Sequence, residues 1–529
     1  MSTKVYVVGV GMTDFVKPNS SRDYPEIAKE AVDKALADSG IRYDAVQQAV
    51  CGYVYGDSAC GQRVLYQVGM TGIPIHNVNN HGATGGTALY LAHQLVQGGS
   101  DVVLSLGFDK MSTGPLPSAA FINRTYPMDV HIKKLRKFVK NDKAPPAIQC
   151  FGHAAVEHME KYGTKEIHFS KIAVKNHKNA SKNPHALNKN EYSLDEILNS
   201  KRMFGPITKL QCCANCDGAA AAILMSARAV EYYKLQSKAV EIAGMAMATD
   251  TSPVFTDTTR LRIAGCDMTA LAAKQVYQKT GITPNQVDVV ELHDCFASNE
   301  LITYEYLQLC EEGKGGQFVD AGDNTYGGKV VVNPSGGLIG KGNPIGATGM
   351  AQCVELVWQL RGDAGQRQVN NARIGLQHNL GLGGAVIVAI YRKSFEGYQQ
   401  NFEVNVQNFK VYKYIKIIEE AIKNYKGNIP KDIRGVYAIK VKKGPSGFDG
   451  NWIVDVKEEG KGNVTYNGNQ NPDVTITVND EDALDLLQGK LEPLRAIFQG
   501  KIKLQGKVEL IMKLQKYIST KSQSIRAKI

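Results

Sequence analysis

The chain of 529 residues has no apolar run of the roughly 18 residues that a bilayer-spanning helix needs. Its N-terminus lacks the apolar core of a signal peptide and passes straight into a strand-like segment. These absences argue against a membrane span and a secretory leader. The apolar fraction of 43 % and the charged fraction of 21 % are typical of globular proteins. The length predicts two or three domains.

Zinc-like cysteine spacing is also missing. The ten cysteines are irregularly spaced, and only Cys212, Cys213 and Cys216 form a cluster. No second pair of ligands follows it, so buried reduced thiols are favoured over a metal site, and we expect no metal. Reduced thiols fit an intracellular compartment.

The basic excess lacks the pattern of a nucleic-acid binder. The net charge is +11, and residues 407–529 contribute +8, from 22 Lys and Arg against 14 Asp and Glu. Such a surface can meet anionic lipids, acyl-CoA phosphates or nucleic acid. Most of these cations are lysines without interleaved aromatics, so anionic lipid or a solvated surface is favoured, and no nucleic acid is expected.

Strand-like and helix-like segments alternate through the first part of the chain, which predicts an α/β layered fold. At residues 73–96 an extended approach, a glycine-rich turn and a buried helix follow one another. Gly342–Trp358 repeats the turn and helix about 260 positions later. The repeat predicts an internal duplication.

The first of these turns reads Val-Asn-Asn-His-Gly-Ala-Thr-Gly-Gly-Thr-Ala-Leu over residues 78–89. Such a turn aims backbone N–H groups and a helix dipole at one point. Enzymes place a cysteine there because that field stabilises a thiolate. Here the turn carries Gly82.

This stretch resembles the thiolases, most closely the thiolase half of the sterol carrier protein x family. There the motif reads Asn-Asn-Asn-Cys-Ala-Thr-Gly-Ser, with Cys as the acyl-accepting nucleophile. The chain departs from it at His81, Gly82 and Gly86. The resemblance covers about residues 1–395. It implies a duplicated five-layered α/β/α/β/α fold, a loop domain at about 111–205 and a homodimer.

The resemblance also implies a reaction. Thiolysis of a 3-ketoacyl-CoA uses coenzyme A and acyl-CoA as substrates and no permanently bound cofactor. The family's His-Asp-Cys-Phe motif is intact at His293–Phe296, where His293 would bind a carbonyl oxygen and Cys295 would be the acid/base. In the motif at Gly342–Gly349 the base histidine is replaced by Asn343. Asparagine donates hydrogen bonds but has no useful basicity.

Further positions follow from the glycine-rich motifs. Gly346 and Gly383 are expected to contact substrate, while His378 is either structural or pocket-lining. We expect Gly82 to widen the nucleophile turn and leave room above it. His81 is a conceivable substitute nucleophile or base, but alternation along an extended segment points its side chain the other way.

Residues 131–140 are rich in Lys and predict a basic amphipathic helix within the loop domain. The favoured interpretation is a solvated helix face. The alternative is a site for the phosphates of coenzyme A.

A second unit begins after a polar linker at 396–408. Residues 409–529 predict a helix, four alternating strands, a helix from Asp480, a strand at 498–506 and a last helix. The phrases at 442–445, 452–457, 473–477 and 498–503 resemble the sterol carrier protein 2 domain. The resemblance implies an apolar tunnel for fatty acids, acyl-CoA, sterols or phospholipids. Its candidate wall residues, for which plain core is the favoured alternative, are Trp452, Phe498 and Met512, with Leu487 and Ile497.

The chain ends in Ala527, Lys528 and Ile529. A small, a basic and an aliphatic residue resemble a peroxisomal address read by an import receptor. The alternative is an arbitrary basic tail. We therefore expect a peroxisomal protein, with the cytoplasm as a second location.

These patterns together predict a carrier that binds and moves acyl-CoA, fatty acid, sterol or phospholipid. Its thiolase-like half is predicted to be impaired, because Gly82 and Asn343 replace the nucleophile and the base. The rival prediction is a working 3-ketoacyl-CoA thiolase of fatty-acid β-oxidation. A third is a scaffold whose thiolase half only dimerises.

Overall fold

The computed structural model describes residues 3–18, 22–113, 125–138, 144–393, 409–424, 429–442, 450–458, 461–466, 468, 470–487 and 490–513. The chain divides into two compact units, Met1–Tyr398 and Gln399–Ile529. The predicted linker at 396–408 lies outside the described residues. None of the described helices combines the length and the apolarity needed to cross a membrane.

The first unit contains a ten-stranded mixed sheet and a two-stranded hairpin of β5 and β6. Its described strands are β1 (Val5–Met12), β2 (Gln48–Gly52), β3 (Ile75–Val78), β4 (Val102–Asp109), β5 (Arg202–Phe204), β6 (Ile207–Thr208), β7 (Gly218–Ser226), β8 (Val240–Ala248), β9 (Val289–Glu291), β10 (Val331–Val332), β11 (Ile374–Gly381) and β12 (Ala385–Arg392).

The strand order confirms the predicted duplication. The sheet runs β10-β9-β11-β12-β8-β1-β7-β4-β2-β3, and its two halves meet where β1 pairs with β8. Outward from that seam the strands run β1-β7-β4-β2-β3 in one half and β8-β12-β11-β9-β10 in the other. If only the strands of this sheet are counted, each half therefore has its first strand at the seam, followed by its fifth, fourth, second and third. In both halves the first, fifth and fourth strands pair antiparallel and the outer ones parallel.

Helices cover the sheet and build the segment between β4 and β7. The described helices of this unit are α1 (Tyr24–Ser39), α2 (Cys60–Leu65), α3 (Thr84–Gln97), α4 (Asp129–Phe138), α5 (Pro146–Tyr162), α6 (Glu166–Ser181), α7 (Leu194–Leu198), α8 (Ala227–Tyr232), α9 (Pro253–Thr256), α10 (Cys266–Thr280), α11 (Ala297–Tyr306), α12 (Gly315–Asp320), α13 (Gly337–Lys341) and α14 (Thr348–Arg361).

The two helices that follow the repeated turns lie in the centre. The α3 and α14 side chains share one core with residues of β1, β7, β8 and β12. Separate cores pack α1 against the first half of the sheet and α10 against the second. The predicted α/β/α/β/α layering is therefore confirmed. β1, β4 and β7 are buried along their whole length, as strands covered on both faces must be.

The N-termini of the central helices approach very closely, and this sets the geometry of the turns. A Cβ on Gly349 would lie 2.2 Å from the Gly86 nitrogen, and one on Gly85 would lie 2.8 Å from the Met350 nitrogen. Only glycine permits this approach. The two turns are thereby brought side by side.

The second unit is a small α+β domain, as predicted. A five-stranded sheet has the order β15-β14-β13-β16-β17. Residues 508–513 are helical. The other described elements are α15 (Tyr412–Asn424), β13 (Val436–Lys442), β14 (Gly450–Glu458), β15 (Lys461–Tyr466), β16 (Val474–Asn479), α16 (Asp480–Leu487), α17 (Pro493–Phe498) and β17 (Ile502–Gly506).

The predicted strand at 498–506 is wrong in its first part. Pro493 starts a short helix that ends at Phe498, and strand β17 begins only at Ile502. Gly500 takes a φ of +70° and turns the chain between them. Proline at the start and glycine just past the end are the ordinary signals of a helix.

Candidate functional site

Four turns of the first unit meet at one cavity of about 380 Å³. They are the turn between β3 and α3, the segment after β9, the turn between α13 and α14, and the hairpin between β11 and β12. The cavity is lined by His81, Gly82, Pro145, Ala147, Ile148, Phe151, Met203, Cys212, Cys213, Asn215, His293, Cys295, Phe296, Asn343, Ile345, Leu380 and Leu382. The motif positions Gly82, His293, Cys295 and Asn343 are therefore brought together as predicted.

The expectation that Gly82 leaves room above the turn is wrong. A Cβ placed on Gly82 would lie 2.4 Å from the carbonyl oxygen of Leu380 and 3.1 Å from Cε1 of His293. The Gly82 carbonyl also accepts a 2.9 Å hydrogen bond from Nδ2 of Asn379. Backbone of strand β11 fills the space that a side chain would need, so the turn is closed around a glycine.

Gly86, the second glycine that departs from the family motif, also has no room for a side chain. Its N–H donates to Oδ1 of Asn379 over 3.0 Å, and a Cβ there would lie 2.7 Å from that oxygen. Asn379 is thus hydrogen-bonded to both glycines that depart from the family motif. Residues of β11 occupy the space that side chains at Gly82 and Gly86 would need.

Asn343 is held in place by its neighbours. Its Oδ1 accepts a 2.6 Å hydrogen bond from the Thr348 hydroxyl, and its Nδ2 faces the sulfur of Cys213 at 3.5 Å. The side chain is 7 % exposed. An amide in this position donates a hydrogen bond and takes up no proton.

His293 is a neutral imidazole at the cavity wall. Burial lowers its pKa to about 3, and the neighbouring His378 and His81 act in the same direction. Its Nδ1 lies 3.4 Å from Nδ2 of Asn379. A neutral imidazole can still donate one hydrogen bond to a carbonyl oxygen, which is the role that the resemblance assigns to it.

His378 has a structural role, which was one of the two alternatives predicted for it. It is fully buried and lies behind His293, with Nε2 3.1 Å from the Thr269 hydroxyl. Its Nδ1 lies 3.5 Å from the backbone nitrogen of His293. Burial lowers its pKa to about 3.

His81 faces the cavity, contrary to the expectation that it points away. The chain leaves β3 at Val78 and enters a 3₁₀ turn at His81–Ala83, so strand alternation no longer applies. His81 takes a φ of +51° in this turn. Burial lowers its pKa below the ordinary value.

Three thiols surround the cavity, and two of them were not predicted there. The backbone N–H of Cys213 donates to the Cys295 carbonyl over 2.9 Å, and the backbone of Cys212 forms an isolated antiparallel β-bridge with Phe296. Burial raises the pKa of Cys213 to about 12 and that of Cys295 well above its usual value. The raised pKa values favour the protonated form of both thiols at neutral pH.

The cysteine cluster is only partly buried. Cys216 is enclosed, whereas Cys212 and Cys213 contribute to the cavity wall. The described residues contain no group of three or more His, Cys, Asp or Glu side chains arranged to hold a metal ion.

Asp294 ties the motif after β9 to the turn that carries Asn343. Its carboxylate accepts hydrogen bonds from the Leu338 and Ile339 N–H groups, at 2.6 and 3.3 Å, and from Asn176 at 2.8 Å. Burial, followed by Glu300, raises the pKa of Asp294 well above its usual value. The carboxyl thus caps α13, which precedes Asn343 by two residues.

The two glycines predicted to contact substrate, Gly346 and Gly383, lie in different surroundings. Gly346 donates its N–H to Asp109 and lies outside the cavity lining. Gly383 lines an adjoining cavity of about 530 Å³ that shares His81, Pro145, Ala147 and Leu382 with the first. Pro145 and Ala147, which come from the predicted loop domain, line both cavities.

The predicted basic helix is α4. Nε2 of His131 is hydrogen-bonded to the Asp250 carboxylate over 2.9 Å. Lys134 is buried, and its ammonium donates a hydrogen bond to the Val254 carbonyl. Lys133, Arg136 and Lys137 form the exposed face. The end of the predicted segment, residues 139–140, lies outside the described residues.

In the second unit the candidate wall residues have different surroundings. Trp452 is core, with edge contacts to Phe409 and Tyr466 at 5.0 and 5.2 Å. Phe498 is 90 % exposed and Met512 is 50 % exposed, so the expectation that both are enclosed is wrong. Helix α17 ends at Phe498 and leaves its ring on the outside. The Leu487 side chain and Ala527, Lys528 and Ile529 lie outside the described residues.

Comparison with protein families divides the chain in the same way. Residues 5–198 match the N-terminal domain of thiolases, and residues 256–392 match the thiolase C-terminal domain-like family. Residues 416–519 match the SCP-2 sterol transfer family. Both resemblances given above are thereby confirmed.

Individual relatives span nearly the whole chain. Sterol carrier protein 2 of Homo sapiens is 53 % identical over 526 residues, which cover 97 % of this chain and 96 % of that protein. Non-specific lipid-transfer protein-like 2 of Caenorhabditis elegans is 50 % identical over 404 residues, covering 75 % of this chain and 98 % of that one.

Solved structures share the fold of the first unit. Human mitochondrial 3-ketoacyl-CoA thiolase has a TM-score of 0.56 at 18 % identity, and the Ltp2-ChsH2(DUF35) aldolase has 0.64 at 24 % identity. Each match covers 74 % of this chain and 98 % of the other. At these identities the likeness shows the fold alone.

Proposed function

The chain belongs to the sterol carrier protein 2 family, with a thiolase domain joined to a sterol-transfer domain, and we propose that it binds and transfers lipids. The proposed ligands are acyl-CoA, fatty acids, sterols and phospholipids. The match of residues 416–519 to the SCP-2 sterol transfer family carries this proposal. The relatives named as sterol carrier and lipid-transfer proteins support it.

The thiolase unit is proposed to bind acyl-CoA without thiolysing it. Thiolysis needs a thiolate, a base for its proton and polar groups for the developing oxyanions. His293 and Asn343 remain as hydrogen-bonding groups at the cavity, but Gly82 carries no thiol and the carbonyl of Leu380 closes the space for one. The absence of a side chain at Gly82 is the observation that carries this part.

A working 3-ketoacyl-CoA thiolase of β-oxidation is the second candidate function. The intact His293–Phe296 segment and the three thiols at the cavity favour it. Its weakness is that burial holds the thiols in their protonated form. The aldolase among the structures with this fold illustrates that the fold alone does not imply thiolysis.

One binding measurement and one activity measurement test the proposal. The full chain should bind a fluorescent fatty acid or sterol analogue saturably at micromolar concentration. It should leave a 3-ketoacyl-CoA intact when free coenzyme A is added. The absence of saturable lipid binding would contradict the carrier role, and the appearance of a shortened acyl-CoA would favour the second candidate.

The remaining parts of the proposal concern assembly and location. We propose a homodimer through the thiolase unit, which is also what a purely scaffolding role would require, and a peroxisomal location through an import receptor. Removal of Ala527, Lys528 and Ile529 should leave a tagged protein in the cytoplasm. A punctate distribution that survives the deletion would show that the tripeptide is not the address.

A further inference from the structure

The imidazole of His81 lies where the two cavities of the first unit meet, because it lines both of them. Its backbone N–H donates to Oδ1 of Asn79 over 3.0 Å, and its φ of +51° turns the residue out of the direction of β3. Among the residues that the structure describes, neither ring nitrogen has a hydrogen-bond partner. A partly buried imidazole in this state can accept one hydrogen bond from a bound molecule and donate another to it.

The cavity contains few groups that can take up a proton. The thiols of Cys213 and Cys295 line it, but burial raises the pKa of both and leaves little thiolate. Asn343 takes up no proton. Burial lowers the pKa of His81, so its ring is neutral at pH 7 and one nitrogen keeps a free lone pair. His81 and His293 are therefore the two groups from which a base can come.

The hydrogen bonds of His293 make it a donor to the cavity. Its Nδ1 lies 3.4 Å from Nδ2 of Asn379, an amide nitrogen that can only donate. Nδ1 is therefore the acceptor, and the ring proton is on Nε2. Asn343 also presents N–H groups, because its Oδ1 already accepts from the Thr348 hydroxyl. Two neutral donors at one cavity can stabilise an oxygen on which negative charge develops.

We propose that this cavity is a proton-transfer site, in which His81 takes a proton from C2 of an acyl-CoA thioester while His293 and Asn343 hydrogen-bond to the thioester oxygen. This inference rests on the proposed binding of acyl-CoA by the thiolase unit. A base and a pair of neutral donors are the parts that such a step needs.

The step requires no thiol nucleophile and no co-reactant. The C2–H bond breaks, and the proton goes to the free ring nitrogen of His81. The electron pair of that bond forms a double bond between C1 and C2, and the negative charge moves to the thioester oxygen. Return of a proton from His81 to C2 restores the acyl-CoA. In D2O the returning proton is replaced by a deuteron once the imidazole has exchanged with solvent.

The test is deuterium incorporation into octanoyl-CoA that is incubated with the full chain in D2O, measured by mass spectrometry of the acyl group. The parent should exchange the C2 protons, and His81→Asn should slow the exchange about a hundredfold or more, which is the usual contribution of a positioned base. Asparagine tolerates a positive φ, so this variant keeps the turn. His76→Asn makes the same substitution at an exposed histidine of β3 that lines neither cavity, and it should exchange as the parent does.

The pH dependence of the exchange identifies the base. After subtraction of the rate without protein, exchange by His81 should not change with pH above the ordinary histidine pKa of about 6.5, because the ring is already neutral there. Exchange by the Cys295 thiol would instead rise with pH, since burial raises its pKa well above the usual value. A rate that rises with pH over this range, or a rate that His81→Asn leaves unchanged, would overturn the proposal.

The other titratable side chains of the two cavities do not interfere at neutral pH. Burial lowers the pKa of His293 to about 3. It raises the pKa of the remaining ones, which are Tyr55, Tyr126, Cys212, Cys213 and Cys295. A pH-independent rate therefore points to His81.

Calorimetric titration with octanoyl-CoA separates this inference from the proposed function. The full chain should bind at two sites, one in each unit, and Ala147→Trp should remove one of them because Ala147 lines both cavities. Loss of a site in Ala147→Trp without exchange by the parent would overturn the proton transfer and leave the proposed binding intact. If Ala147→Trp removes no site, both are contradicted. An acyl group found on His81 by mass spectrometry would also overturn the proposal, because the imidazole would then be a nucleophile.

Discussion

Replacement of Gly82 by alanine tests the closure of the nucleophile turn without introducing chemistry. The added methyl would start 2.4 Å from the Leu380 carbonyl oxygen, whereas ordinary contacts begin near 3.4 Å, so backbone must move by about 1 Å. Gly82 is not among the residues with positive φ, so the cost is steric and not conformational. Overpacking of this kind costs about 1–3 kcal/mol.

Gly98→Ala is the matched control. Its Cβ would come no closer than 3.3 Å to a neighbouring atom, and Gly98 has a φ of −78°. A Gly→Ala change at a compatible position stabilises by about 0.4–1 kcal/mol through the unfolded chain. Urea unfolding of the thiolase unit should therefore show a lower midpoint for Gly82→Ala and an unchanged or higher one for Gly98→Ala, at equal slopes. If Gly82→Ala is as stable as the control, the turn has room for a side chain and the closure is refuted.

Two further predictions concern chemistry and pH. Gly82→Cys alone should restore no measurable thiolysis, because Asn343 takes no proton. The thiolysis activity of Gly82→Cys with Asn343→His should exceed that of either single variant, although the Leu380 carbonyl still crowds the new side chain. Equal activity of the double and single variants would contradict this. His378 has a folded pKa of about 3, so below pH 6.5 only the unfolded chain takes up its proton, and stability falls as pH drops towards 3. His378→Gln should therefore reduce the slope of unfolding free energy against pH in that window by up to about 1.4 kcal/mol per pH unit, and an unchanged slope would contradict the buried neutral imidazole.

The sequence alone was sufficient for the fold and for the convergence of the motifs. The repeated glycine-rich turn and helix predicted the duplication, because both turns need the same close approach of two helices. The alternation of strands and helices predicted an α/β layered fold, and the resemblance to the thiolases implied the five layers. The resemblance to the thiolases implied that His293, Cys295 and Asn343 meet at one site, and all three line the same cavity.

The space at the site could not be predicted from the sequence. Whether Gly82 is open or closed depends on strand β11, whose Asn379 is 297 positions away in the chain. The direction of His81 depends on a positive φ in a 3₁₀ turn, which a strand-like pattern did not indicate. Cys212 and Cys213 reach the cavity through backbone pairing with the Cys295–Phe296 segment, a contact without a local signal.

Phe498 shows a different kind of error. The prediction extended strand β17 back to residue 498, although Pro493 and Gly500 were both visible as helix start and stop signals. The exposed ring became evident only from the end of α17.

Intact-mass measurement after mixing with acyl-CoA tests the central claim most directly. Loss of a nucleophile that acts as a unit with its base can lower turnover on the order of a millionfold. The unmodified chain, incubated with acetyl-CoA or a 3-ketoacyl-CoA, should therefore retain its mass without an acyl adduct. A stoichiometric acyl adduct accompanied by release of shortened acyl-CoA would contradict the account and assign the thiolase unit a working nucleophile other than residue 82.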